Sequence, residues 1–319
     1  MKAIRIHADG GPEVLRYEDA PDPEPRDDEA LVELRAASLN HLDLWIRQGR
    51  PSVPKPHILG ADGAGVLAGT DERVVINPGF VRDGRVEILG ETTDGTHAEL
   101  IAVPRDHLHP IPDGLSFEEA AAFPLVFETA YRMLVTRARL EPGEWVLIWG
   151  TGGGVATAAL SLAKALDARV VVTSSSDAKL ERARELGADE ALNHERDDVV
   201  AAVKELTGGG AHVVVDDVGK ATWRRTLDAV RPHGRVVVCG ATTGPNPPAA
   251  LHRVWWKQLS ILGSTMGTPD DFRGAYDLIA AGKARPVVDS VFPLADARAA
   301  HERLEAGAQF GKVVLRIPG

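Results

Sequence analysis

The strongest constraint on how this chain folds is a glycine-rich bend set between an apolar run and a small-residue segment. Trp145-Val146-Leu147-Ile148-Trp149 leads straight into Gly150-Thr151-Gly152-Gly153-Gly154. Alanines and leucines at helical spacing fill Ala156 to Leu166, and Arg169-Val170-Val171-Val172 is a second apolar run. Strand, tight turn, helix and strand in that order form the unit that binds a dinucleotide pyrophosphate. Glycine lets backbone N–H groups approach phosphate oxygens with no side chain in the way. The unpaired amides and the positive dipole end of the helix then face the anion. Read as G-x-G-x-x-G, the three slots hold Thr151, Gly153 and Ala156. Read with a wider first gap they hold Gly150, Gly153 and Ala156, which fits better. Gly150, Gly152, Gly153, Gly154 and Val155 are therefore the expected pyrophosphate contacts.

The remaining bulk properties narrow the class. At 319 residues, 44% apolar and 26% charged, the chain suits two soluble domains with a core each. A net charge of −10 with both signs mixed argues against nucleic acid or an anionic membrane as the main partner. No apolar run approaches the ~18 residues of a membrane span, and Met1-Lys2-Ala3-Ile4-Arg5 does not begin a signal-peptide core. A cytoplasmic protein is expected. The single cysteine, Cys239, rules out an intrachain disulfide and thiolate zinc sites. It follows Arg235-Val236-Val237-Val238 and reads as a small buried hydrophobe at a strand end.

Residues 1–123 carry short strands broken by Gly and Pro, the pattern of a compact, mostly antiparallel β-domain. A helix is expected over His41 to Arg47. Another starts near Ser116, where Ser-Phe-Glu-Glu forms a capping box. From 124 to 264, strands alternate with helices at Asp177 to Leu186, Asp198 to Leu206 and Trp223 to Val230. Short apolar strands between helices imply a parallel sheet covered on both faces. Residues 265–319 add helices at Asp270 to Ala281 and Ala295 to Glu305 and a strand at Lys312 to Ile317. They are expected to rejoin the first domain. The fold class is thus α/β, with domains at 1–123 plus 265–319 and at 124–264.

Several motifs, in order and at matching spacing, resemble the medium-chain dehydrogenase/reductase superfamily, and most of all its zinc-free quinone oxidoreductase branch. They are Ser38-Leu39-Asn40-His41-Leu42-Asp43, Leu59-Gly60-Ala61-Asp62-Gly63-Ala64-Gly65, Asp94-Gly95-Thr96-His97, Ala120-Ala121-Ala122-Phe123-Pro124, Leu186-Gly187-Ala188-Asp189 and Phe310-Gly311-Lys312-Val313-Val314-Leu315. The resemblance implies a GroES-like β-domain beside a doubly wound Rossmann domain. It also implies hydride transfer between a nicotinamide dinucleotide and a carbonyl, enone or quinone, and a homodimer through a sheet edge. Zinc-dependent relatives carry Cys at the position of Asn40 and Gly-His-Glu at Gly60-Ala61-Asp62, with a third ligand near Leu125. Their cysteine-bearing lobe is replaced here by the short segment Phe80 to Val86. No metal is therefore expected.

The end of the second Rossmann strand separates NAD from NADP. NAD proteins place an acid there, about 20 residues past the glycines, for the ribose diol. This chain has Thr173-Ser174-Ser175-Ser176, so nothing repels a 2′-phosphate. Ser174 and Ser175 offer hydrogen bonds. The resemblance makes Lys179 the phosphate partner and lets His194 stand for a tyrosine. It also brings Thr129 to the nicotinamide and Lys312 to the cofactor. Gly240-Ala241-Thr242 and Gly263-Ser264-Thr265 lie at strand ends, where open α/β sheets bind ligands. For the chemistry, Asn40 is the expected amide donor, His41 the titrating group and Asp43 its orienter. Helix capping is the alternative for each. Asp62 either supports this site or is purely structural. Trp45 and Pro51 occupy slots where relatives hold tyrosines. Trp255, Trp256 and Phe310 are core, interface or substrate wall; the sequence does not rank them.

These readings converge on an NADP(H)-dependent reductase of quinones or α,β-unsaturated carbonyls. The alternatives are a zinc-free alcohol or aldehyde oxidoreductase and a low-turnover NADPH-binding sensor or scaffold.

Overall fold

The computed structural model describes residues 1–82 and 85–319. Asp83 and Gly84, within the segment read as replacing a cysteine lobe, lie outside them. The chain forms two compact units, Met1–Val126 with Pro286–Gly319, and Phe127–Arg285.

The first unit begins with β1 (Lys2–Ile6), β2 (Leu15–Asp19), β3 (Glu29–Ser38) and α1 (His41–Arg47). It continues through β4 (His57–Ile58), β5 (Asp62–Leu67), β6 (Arg73–Ile76), β7 (Gly79–Arg82), β8 (Arg85–Ile88), β9 (Leu100–Pro104), β10 (Leu108–Pro110) and α2 (Phe117–Ala121). Strand β3 is long because its alternate residues are buried, and it pairs antiparallel with both β5 and β9. Helix α2 starts at Ser116, whose hydroxyl accepts from Glu119 N at 3.1 Å while the Glu119 carboxylate accepts from Ser116 N at 3.0 Å. Helix α3 (Pro124–Tyr131) then carries the chain into the second unit.

The second unit alternates β11 (Trp145–Ile148), α4 (Gly154–Ala165), β12 (Arg169–Ser174), α5 (Asp177–Glu185), β13 (Glu190–Asn193), α6 (Val199–Thr207), β14 (Ala211–Val215), α7 (Trp223–Ala229) and β15 (Val230–Val238). It closes with α8 (Leu251–Trp256), β16 (Ser260–Gly263) and α9 (Pro269–Ala280). The six strands form one parallel sheet in the order β13-β12-β11-β14-β15-β16. The order reverses at β11, where the glycine bend follows, as a doubly wound sheet requires. Buried valines of β12, β14 and β15 pack with Leu147, Trp149 and Leu227 in the core.

The first unit resumes at Pro286, whereas the sequence places the return at 265. Helix α9 accounts for the difference. Phe272, Ala275 and Ile279 form its buried face, and Asp271 accepts from Arg132 at 2.9 Å within the second unit. The C-terminal strands are β17 (Val288–Pro293) and, after α10 (Ala297–Glu305), β18 (Lys312–Arg316). Strand β18 joins β3 antiparallel and β17 parallel, extending the sheet β10-β6-β5-β3-β18-β17. Among the described residues, no helix is long and apolar enough to cross a membrane.

Candidate active site

In the first unit, strand register alone assembles a polar cluster. Ser38 faces Asp62 across β3 and β5, and Val314 across β3 and β18. Two residues on from Ser38 is Asn40, and two back from Val314 is Lys312, so antiparallel pairing brings that pair together as well. Leu39 N donates to Val313 O at 2.9 Å and holds the alignment past the strand end.

Asp62 and Lys312 are 0% and 3% exposed, and their charges meet at 2.9 Å. Burying two ions is costly unless their remaining hydrogen-bonding capacity is met. Here it is met. Asp62 Oδ2 also accepts from Asn40 Nδ2 at 2.9 Å and Ser38 Oγ at 3.0 Å, and Oδ1 accepts from Leu125 N at 2.8 Å. Lys312 donates to Asn40 Oδ1 too, which settles which way the amide faces, because an ammonium can bond only to the oxygen.

Asp43 closes the cluster from α1. Its Oδ2 accepts from Asn40 N at 2.7 Å and its Oδ1 from Gly60 N at 2.9 Å. Burial pushes its carboxyl up to about 7 against those two backbone donations. His41 opens the same helix, and burial, with the Lys312 charge adding to it, holds its imidazole below the usual range. Gly60 has a φ of +106°, and a Cβ there would meet the ring of His97 at 2.5 Å. His97 is fully buried, and among the described residues neither of its ring nitrogens has a hydrogen-bond partner. Its ring stands edge-on to His301 at 6.1 Å, and His301 Nδ1 lies 3.2 Å from Arg47.

In the second unit, the predicted cofactor residues gather at the carboxyl ends of the strands. Gly150 and Gly152 have φ of +69° and +125°, conformations that favour glycine. Gly153 caps α4, and a Cβ built on it has nothing within 4 Å. The first-turn amides of α4, at Gly154, Val155 and Ala156, have no earlier helical carbonyl to bond. Thr151 Oγ1 and Ser264 Oγ are buried without partners among the described residues, which suits strand ends that receive a polar ligand. Thr129 Oγ1 lies 3.9 Å from Met266 Sδ, so α3 reaches the Ser264-Thr265 turn. The loop after β15 is tied to the one after β14. Thr242 N and Thr243 N donate to Asp217 O and Val218 O at 3.1 and 2.8 Å, which holds Gly240 and Ala241 in place.

At the end of β12, Ser174 Oγ accepts from Ser176 N at 3.1 Å, and Ser175 is exposed. Lys179 lies on α5, and His194 Nδ1 is 3.4 Å from Thr173 Oγ1. Lys312, also expected at the cofactor, belongs to the first unit, where its ammonium donates to Asn40 and Asp62. Phe310 is buried, whereas Trp255 and Trp256 are 64% and 84% exposed, which removes those two from the core. Sequence reasoning missed Arg225, whose guanidinium covers the Trp149 ring at 5.0 Å. It also missed Asp217, whose carboxyl is pushed up to about 6 by burial and then by the neighbouring Asp216 charge. Neither residue falls in a motif; the sheet order alone brings Arg225 to the bend.

Comparison with known proteins agrees with this geometry. The family model described as alcohol dehydrogenase GroES-like domain matches residues 26–113, and that described as zinc-binding dehydrogenase matches 154–281. A quinone oxidoreductase of Pseudomonas aeruginosa is 35% identical over 98% of this chain and 99% of its own length. A quinone oxidoreductase of Salmonella typhimurium is 33% identical over 98% of each. A crystal structure of an NAD-dependent alcohol dehydrogenase superposes with a TM-score of 0.96 at 42% identity, covering all of both chains. A 2-octenoyl-CoA carboxylase reductase solved with NADP and 2-octenoyl-CoA superposes at 0.91 and 27% identity, over 99% of this chain and 87% of its own.

The zinc named in the second family description does not fit the residues present. At the three positions carrying ligands in zinc-dependent relatives stand Asn40, Ala61 and Leu125. Asn40 Oδ1 faces an ammonium, the other two side chains have no donor atom, and the Asp62 carboxylate oxygens are engaged by Ser38, Asn40, Leu125 and Lys312. Among the described residues no group of three His, Cys, Asp or Glu side chains is placed to hold a metal ion. The nicotinamide dinucleotide, in contrast, fits the open glycine bend and the unpartnered hydroxyls. This chain belongs to the medium-chain dehydrogenase/reductase superfamily of nicotinamide-dependent oxidoreductases.

Proposed function

We propose that the chain is an NADP(H)-dependent oxidoreductase that passes hydride, without a metal, to a quinone or an α,β-unsaturated carbonyl. The observation that carries this reading is the Lys312–Asp62–Asn40 cluster, whose Asn40 stands where zinc-dependent relatives carry a cysteine ligand and is held by an ammonium instead. A saturated carbonyl gains most from strong polarisation of its oxygen before hydride attacks its carbon. A quinone or enone spreads the developing charge over a conjugated system and needs mainly a hydrogen-bond donor and a proton.

The bound dinucleotide supplies the hydride. Asn40 is the donor assigned to the acceptor oxygen. Lys312 takes its carbonyl oxygen and Asp62 one of its two amide hydrogens, which leaves the second amide hydrogen to donate. His41, whose imidazole burial and then the Lys312 charge hold below its usual range, relays the proton that reaches the same oxygen. Asp43 holds Asn40 and Gly60 by their backbones and so sets where α1 begins. The missing acid at the end of β12 favours the 2′-phosphorylated cofactor. Strand β16 ends the parallel sheet beside exposed Trp255 and Trp256, and a second copy of the chain is the partner assigned to that edge.

Steady-state NADPH oxidation against 1,4-benzoquinone, an enone and a simple aldehyde, with NADH in parallel and chelator present, tests the proposal. Quinone or enone turnover with NADPH is expected to lead. A second reading, a zinc-free alcohol or aldehyde oxidoreductase, is favoured by the 42% identical alcohol dehydrogenase. Faster aldehyde turnover with NADH would select it. Tight NADPH binding without turnover of any acceptor would select a sensor or scaffold.

A further inference from the structure

The reading of the cofactor as NADP(H) leaves open which cation meets the ribose phosphate. Resemblance points to Lys179 on α5. The tertiary arrangement offers another. Arg225 projects from α7, and its guanidinium carbon lies 5.0 Å from the centre of the Trp149 ring, at the end of β11. Its Nη1 reaches His194 O, just past β13, at 3.5 Å. The sheet order is β13-β12-β11, so a group touching the ends of β11 and β13 spans the end of β12 between them. That end carries Thr173, Ser174 and Ser175, where the adenosine ribose of a doubly wound fold is held.

The charge balance there singles out the same residue. Arg196 is spent on Asp177, with both guanidinium nitrogens on the carboxylate at 2.8 and 2.7 Å, and Asn193 Nδ2 adds a third donor to Asp177 at 2.9 Å. Arg225 has no carboxylate within ion-pair distance among the described residues. Its hydrogen bonds are two long ones, to the carbonyls of His194 and Ala221, both at 3.5 Å. A guanidinium carries five N–H donors in a planar fork that matches a phosphate. This one is half-buried, placed over an indole ring, and under-used.

We propose that Arg225, together with His194, is the specificity-determining residue for the cofactor's 2′-phosphate, and that Lys179 is secondary. This rests on the NADP(H) reading above, and the test separates the two. The full chain is titrated calorimetrically with 2′,5′-ADP and with 5′-AMP, as wild type and as Arg225→Gln, Arg225→Lys and Lys179→Gln. Wild type is expected to prefer 2′,5′-ADP by on the order of tenfold or more, as a charge-assisted phosphate contact predicts. Arg225→Gln brings the two ligands to within about threefold of each other with 5′-AMP binding retained, while Arg225→Lys keeps part of the preference and Lys179→Gln most of it. Retained 5′-AMP binding also shows that the variant is folded. A wild-type preference that survives in Arg225→Gln and vanishes in Lys179→Gln overturns the Arg225 assignment alone. A wild type that does not distinguish the two ligands overturns the NADP(H) reading and this assignment with it.

Discussion

Single side chains in this chain do work that their types alone do not announce. Lys312, read from the sequence as a cofactor contact, has its ammonium buried against Asp62 and Asn40. Removing one member of a buried pair strands the other charge. Lys312→Met is therefore expected to cost about 3–5 kcal/mol of stability, and Lys312→Met with Asp62→Leu to recover much of it. Urea unfolding of both variants and wild type measures this, and equal losses in the single and double variants would refute it. Gly153 makes the opposite case. Its φ of −71° and the open space around its Cβ admit any side chain, and Asp is a good helix N-cap. Gly153→Asp is expected to keep or raise the melting temperature while weakening NADPH binding more than tenfold, because its carboxylate meets the pyrophosphate. Calorimetry and thermal unfolding on the same sample check both halves.

At the level of elements, register does most of the positioning. Ser38 opposite Asp62, with the same strand bordering β18, brings the four polar side chains of the cluster together by strand pairing. The parallel sheet does the same for the cofactor end, because its strands all finish on one side and each contributes a turn there. The elements also leave a liability. Strand β16 bonds to β15 on one side only, its residues are mostly exposed, and α8 beside it carries Leu251, Trp255 and Trp256 in the open. Ile261→Lys is expected to convert a dimer to monomer in analytical ultracentrifugation with dinucleotide binding preserved. A monomeric wild type, or an unchanged sedimentation coefficient in the variant, would refute the edge assignment.

For the molecule as a whole, buried histidines and buried carboxyls make opposing contributions to the pH dependence of stability. Burial lowers His97 to about 4, and burial with the nearby His97 and Arg47 charges holds His301 well below its ordinary value. Both groups are more basic in the unfolded chain, so unfolding takes up protons. Their contribution is fully present above pH 6.5 and is lost as pH falls towards 4. For His97 alone the loss approaches about 3 kcal/mol. Asp43 and Asp217, whose carboxyls burial raises to about 7 and about 6, act in the opposite sense over the same range, so the histidine contribution is read as a difference. In urea unfolding at intervals from pH 7.5 to 4.5, the stability of wild type is expected to fall relative to that of His97→Leu as pH falls. Equal slopes would locate the acid sensitivity elsewhere.

The α/β architecture, the dinucleotide-binding bend and the parallel sheet were legible from residue order. The reason is that strand–turn–helix signals are local, and glycine, alternation and capping act within a few residues of themselves. Helix α1 and the capping box at Ser116 were legible for the same reason. What the sequence could not state were meetings between residues far apart in the chain: Lys312 with Asp62 across 250 positions, Arg225 over Trp149, and α9 siding with the second unit. Those depend on which strands become neighbours and on where burial leaves a charge to find its counterion. Only the folded chain decides that, because the energies involved are set by distance and dielectric rather than by sequence separation.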